Sequence, residues 1–127
     1  MSGALRGVGL ALVEVPRFRA VLERRGERLL ARVFSDAERA YAKRKLNGWQ
    51  NLAARFAAKS AGRAALRGVL GRALPLAGLE VARLRSGEPK LVIRAGVAPG
   101  SEPLEIFLTL THDADFALAS VVVETRA

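Results

Sequence analysis

Trp49-Gln50-Asn51-Leu52-Ala53-Ala54-Arg55-Phe56-Ala57-Ala58-Lys59-Ser60-Ala61-Gly62-Arg63-Ala64-Ala65-Leu66-Arg67 is the stretch whose reading decides the fold. Leu52, Phe56, Ser60 and Ala64 recur at helical spacing with Ala53, Ala57, Ala61 and Ala65 beside them, so a helix over 49–67 carries one small, apolar face. Such a face packs closely against whatever covers it. Arg55, Lys59, Arg63 and Arg67 form a second row at the same spacing. That row predicts a strip of positive charge along the helix, either a phosphate contact or a solvated face.

Upstream of this helix, Asn47-Gly48 is a turn pair, and Ser35-Asp36-Ala37-Glu38 has the form of a capping box that opens another helix. Phe18, Val21, Leu22, Leu29, Leu30 and Val33 recur at helical spacing among Arg and Glu, which predicts a surface helix over 17–32 that Gly26 breaks or bends. Val8 to Val15 is apolar apart from Gly9 and Glu14 and reads as a strand buried on both faces, ended by Pro16. Downstream, Leu79 to Leu84 and Lys90 to Arg94 flank the turn Ser86-Gly87-Glu88-Pro89 as a hairpin. Leu104, Ile106, Leu108 and Leu110 alternate with polar residues as a half-buried strand. His112 to Asp115 turns the chain, and Phe116 to Glu124 is apolar enough for a central strand. The sum is one α+β domain over residues 1–127, with helices gathered on one side of a mostly antiparallel sheet.

The chain of 127 residues has a formal charge of +9 and no cysteine, which excludes disulfides, thiolate zinc sites and a cysteine nucleophile. No apolar run reaches membrane-spanning length and no signal-peptide pattern opens the sequence, so a soluble, cytoplasmic protein without a membrane partner is expected. The charge calls for an anionic partner: nucleic acid, a phosphorylated cofactor or an acidic protein. Aromatic residues are only 6% of the chain and there is no recognition-helix or zinc-finger signature, so nucleic acid rests on charge alone.

Ala54-Arg55-Phe56-Ala57-Ala58-Lys59, Gly87-Glu88-Pro89-Lys90 and Thr109-Leu110-Thr111-His112, preceded by Gly7-Val8-Gly9 and Val13-Glu14-Val15, carry a resemblance. In these words and their order the chain resembles the holo-acyl-carrier-protein synthase type of phosphopantetheinyl transferase over nearly its whole length. The resemblance implies an enzyme that moves the phosphopantetheine arm of coenzyme A to a serine of an acyl carrier protein. It implies a homotrimer with pockets between subunits, and a magnesium ion. It implies further that Arg55, Lys59, Arg63 and His112 lie toward the cofactor's phosphates, that Arg17 meets the acidic carrier, and that His112, Lys59 and Glu14 are the candidate catalytic groups.

At the two positions where the family places its magnesium carboxylates, this chain has Ala11 and Ser60. Neither binds the ion strongly. A Lewis-acid metal supplies several kcal/mol at a phosphoryl oxygen, and each ~1.36 kcal/mol is tenfold in rate, so its loss costs roughly a thousandfold or more. The sequence therefore reads as a divergent relative, a pseudoenzyme for which magnesium is not expected. It would bind an acyl carrier protein or a coenzyme A-like phosphate ligand in fatty acid or polyketide biosynthesis. A working synthase stays open, with a metal site rebuilt from Glu14, Asp113 or Asp115, or with no metal and Lys59 and Arg63 replacing the ion's charge. So does a different acid-base enzyme acting on a carrier-tethered intermediate, with His112 working beside Asp113 or Glu14. Each residue also has a plainer role: His112, the only histidine, and both aspartates as turn residues, Glu14 as the partner of a helix arginine, and Trp49 as a packing anchor.

Overall fold

The structure, a computed structural model, describes residues 3–100 and 102–126. Strand β1 (Leu5–Glu14) leads into helices α1 (Val15–Arg25), α2 (Glu27–Val33), α3 (Asp36–Lys43) and α4 (Gly48–Leu70). Strands β2 (Leu79–Arg83) and β3 (Pro89–Ile93) follow as a hairpin, then β4 (Leu104–His112) and β5 (Phe116–Thr125). The antiparallel sheet runs β1-β5-β4 with β5 central, as its apolar composition predicts, and the hairpin forms a separate two-stranded sheet. Among the described residues no helix is long and apolar enough to cross a membrane.

Local chemistry accounts for the boundaries. Glu14 ends β1, and the fixed φ of Pro16 suits the first turn of α1, so the helix opens two residues before the position read from sequence. Gly26, at a φ of 78°, divides the predicted surface helix into α1 and α2. The capping box forms in full: Ser35 Oγ accepts from the Glu38 amide, and Glu38 Oε1 accepts from the Ser35 amide at 2.9 Å.

Helix α4 lies across the sheet on its alanine face, with Ala53, Ala57, Ala61 and Ala65 fully or almost fully buried. Two glycines of β1 make the close approach possible. A Cβ on Gly7 would stand 2.1 Å from the Ala65 carbonyl oxygen, and one on Gly9 would stand 1.9 Å from that of Ala61. Only a residue without a side chain fits between this strand and this helix.

The expectation that β1 is buried on both faces is corrected. Its inner residues meet α4, whereas Val8, Leu10 and Leu12 are 62%, 70% and 63% exposed. Register places Val122 and Leu118 of β5 opposite Val8 and Leu12, and Phe107 of β4 opposite Val122. The outer sheet face is thus an apolar surface open to solvent in the single chain, which is why β1 looks like an interior strand in sequence.

Candidate functional site

The basic row of α4 is not the continuous strip that its spacing predicts. Arg63 and Arg67 are exposed, but Arg55 is 3% exposed and Lys59 is fully buried. Helix α3 causes the difference by covering the first half of α4. Lys59 Nζ donates to Glu38 Oε1 and to the Val33 carbonyl, each at 2.5 Å, and Glu38 Oε2 accepts from the Val81 amide at 2.9 Å. One ion pair therefore ties α4 to the end of α2, the start of α3 and strand β2. Burial lowers the affinity of Lys59 for its proton, and the Glu38 carboxylate opposes that shift.

Arg55 lies one turn earlier. Its guanidinium carbon sits 4.4 Å from the centroid of the Tyr41 ring, and the same ring is approached by Lys45 at 5.0 Å, Arg83 at 5.3 Å and Arg44 at 5.8 Å. The Arg55 Nε is buried without a hydrogen-bond partner among the described residues. Burial lowers its pKa first, Arg83 adds to the lowering, and Glu38 opposes it. Four cations thus crowd one phenol, with Arg44, Lys45 and Arg83 exposed and Arg55 buried, which concentrates positive charge at this end of the α3–α4 pair. Sequence reading singled out Arg55 alone. Tyr41 and its neighbours 44 and 45 went unnoticed, although an aromatic residue just before a run of cations was the available signal.

His112 closes β4, and its Nδ1 is 3.2 Å from Gln50 Oε1 in the first turn of α4. The histidine borders a cavity of about 320 Å³ that Leu12, Asp113 and Phe116 also line. Pairing of His112 with Asp113 or Glu14 is not what the structure has. Asp113 Oδ1 accepts from the amides of Asp115 and Phe116, both at 2.8 Å, which makes it the turn residue of the plainer reading. Glu14 stands beside Arg17 at 3.9 Å, both side chains more than half exposed. Among the described residues no contact joins Glu14, Lys59 and His112.

Glu14 and Arg17 border an apolar cleft of about 700 Å³ between β1, α1, α2 and α4, lined by Phe18, Val21, Leu29, Phe34 and Phe56 among others. Phe18 anchors this region, making ring contacts with Phe34, Trp49 and Phe56. The packing role expected of Trp49 is met there.

Ala11 lies on the face of β1 that meets α4, two residues beyond Gly9, whose backbone rests against Ala61, the residue after Ser60. The pair offers a methyl group and a hydroxyl, and among the described residues no group of three or more His, Cys, Asp or Glu side chains could hold a metal ion. Residues 11 and 60 thus supply no carboxylate, and of Glu14, Asp113 and Asp115, the alternatives read from sequence for a rebuilt site, Glu14 and Asp115 line one small cavity with Arg17 while Asp113 holds its own turn.

Residues 7–121 match the family described as the 4'-phosphopantetheinyl transferase superfamily. The chain belongs to that superfamily. A holo-[acyl-carrier-protein] synthase of Solibacter usitatus is 37% identical over 121 residues, covering 93% of this chain and 97% of the relative. One from Caulobacter vibrioides is 38% identical over 126 residues, covering 93% and 94%. Among solved structures, the Chronobacterium ammoniagenes ACPS-CoA complex superposes with a TM-score of 0.80 at 29% identity, covering 95% of this chain and 98% of that one. These matches place the chain with the holo-acyl-carrier-protein synthase type, and its α+β fold is theirs.

Proposed function

We propose that this chain binds an acyl carrier protein and a coenzyme A-type ligand in the cytoplasm, and that it transfers the phosphopantetheine arm slowly because the metal carboxylates of its family stand here as Ala11 and Ser60. The observation that carries the reading is the cluster of Arg44, Lys45, Arg55 and Arg83 around Tyr41 in a chain whose positions 11 and 60 hold no carboxylate. Arg44, Lys45 and Arg83, exposed around the ring against which Arg55 is buried, can grip a phosphorylated nucleotide. Stabilising the charge that builds on the transferring phosphoryl group needs more, and residues 11 and 60 offer nothing toward it.

The carrier protein is assigned to the cleft behind Arg17. An acidic helix bearing an apolar side chain would set its charge against Arg17 and its side chain among Phe18, Phe56 and Leu29. The outer sheet face, with Val8, Leu10, Leu12 and Phe107 exposed, supports assembly of the chain as a homotrimer with the sites between subunits.

A second reading is an ordinary holo-acyl-carrier-protein synthase, favoured by relatives of that name that match the chain across nearly its whole length. Mass spectrometry of apo carrier protein incubated with this protein, coenzyme A and magnesium separates the two. The proposal expects conversion at least about a thousandfold below that of an ordinary synthase, rising when Ala11→Asp and Ser60→Glu are introduced together. Rapid gain of the arm by the unaltered chain makes it a synthase after all.

A further inference from the structure

The geometry points to Gln50 as a positioning residue for His112: it holds the imidazole with its proton on Nδ1, so that an unprotonated Nε2 is what His112 presents to a ligand. Three observations carry this. The Gln50 carbonyl oxygen is the group within reach of Nδ1, at 3.2 Å, and a neutral ring bonded there must donate from Nδ1. Asp113, the neighbouring carboxylate that would ordinarily orient a histidine, has its Oδ1 engaged by two backbone amides of its own turn. And Nε2 has no partner among the described residues, while the ring borders the cavity beside Leu12 and Phe116.

The consequence is chemical. A histidine in this tautomer accepts a hydrogen bond from a hydroxyl group, whereas the opposite tautomer or the imidazolium would donate to a phosphate oxygen. In the proposed site His112 therefore serves an O–H group, and the phosphate charge falls to the cluster around Tyr41. Only this assignment of the hydroxyl rests on the functional reading; the tautomer and its cause do not.

With one histidine in the chain, the experiment is unambiguous. Long-range proton–nitrogen NMR of the ¹⁵N-labelled protein, at a pH where the ring is neutral, reports which nitrogen carries the proton. The expected result is a pyrrole-type Nδ1 and a pyridine-type Nε2 in the unaltered protein, retained in Gln50→Glu, which keeps an acceptor. Gln50→Ala should shift toward the Nε2–H form that free histidine prefers. An Nε2–H ring in the unaltered protein overturns the inference, and so does a tautomer that Gln50→Ala leaves unmoved in a chain whose amide spectrum stays dispersed. If that variant does not fold, the unaltered protein and Gln50→Glu still decide. The carrier assay can fail without touching this result, and this result can fail without touching the carrier assay.

Discussion

Lys59 of α4 and Glu38 of α3 form an ion pair from which water is excluded, the ammonium fully buried and the carboxylate side chain 1% exposed. Taking two charges out of water is costly, and the pair persists because its remaining valences are met: Val33 accepts from the amine, and Ser35 and Val81 donate to the carboxylate. Removing one partner leaves the other charge stranded. Lys59→Met is expected to cost about 3–5 kcal/mol. Adding Glu38→Leu should cost less than the two single losses summed, because the stranded charge goes with it. Urea unfolding of the three variants checks this; a strictly additive double variant would mean that the two side chains do not act as a unit.

The proposed anion site yields a prediction about affinity. A hydrogen bond from a charged donor to phosphate is worth about 1.5–3 kcal/mol, so Arg55→Leu should weaken binding of 3',5'-ADP, measured by calorimetry, by about ten- to a hundredfold. Arg55→Lys should not restore it, since a lysine lacks the planar fork that stacks on Tyr41. Arg67→Ala, on the exposed half of the same row, serves as the control and should change little.

Much of this architecture can be read from residue order. Four-residue spacing finds α4, the Ser35 to Glu38 box finds the start of α3, and the apolar run from Phe116 identifies the central strand. What spacing cannot convey is which face of α4 another element will cover. Arg55 and Lys59 look like Arg63 and Arg67 in sequence, and they differ only because α3 folds back over them. The exposure of Val8, Leu10 and Leu12 is hidden for a related reason: an apolar residue gives the same signal whether it faces a core or the open side of a sheet. Gln50 and Tyr41 escape because their meaning depends on His112 and Arg55, far from them along the chain or on another helix.

The outer sheet face makes the oligomer testable. Leu10 is 70% exposed and lies near the middle of the apolar rows, so a charge there removes little from the single chain while placing an unpaired carboxylate in any interface. Leu10→Asp is expected to convert a trimer to monomers in sedimentation velocity with unchanged circular dichroism. A trimer unaffected by this change would have to use another surface.

The turn after β4 should respond to acid. The Asp113 carboxylate accepts two backbone amides, which hold its pKa below the ordinary 3.8, with His112 adding to the lowering. A group depressed in the folded state stabilises it fully above the unfolded value and loses that contribution as pH falls through the folded one. The turn is therefore expected to be intact above about pH 3.8 and to loosen below it. Exchange of the Phe116 amide, followed by NMR, should speed up in that range and be insensitive to acid in Asp113→Asn.

Gly9 sets the distance between the strand that carries residue 11 and the helix that carries residue 60. A methyl group there would meet the Ala61 carbonyl oxygen at 1.9 Å, which a backbone atom in the middle of a long helix cannot avoid by rotating away. Either α4 rises from the sheet or β1 bends outward, and overpacking of this kind costs about 1–3 kcal/mol. Gly9→Ala is expected to lower the melting temperature accordingly. Its sharper effect belongs to the repaired chain. If Ala11→Asp with Ser60→Glu brings two carboxylates together, adding Gly9→Ala spreads them apart, and magnesium affinity measured by calorimetry should fall while 3',5'-ADP still binds at the Tyr41 cluster. Equal magnesium affinity with and without the extra methyl would show that the close strand-to-helix approach serves packing alone.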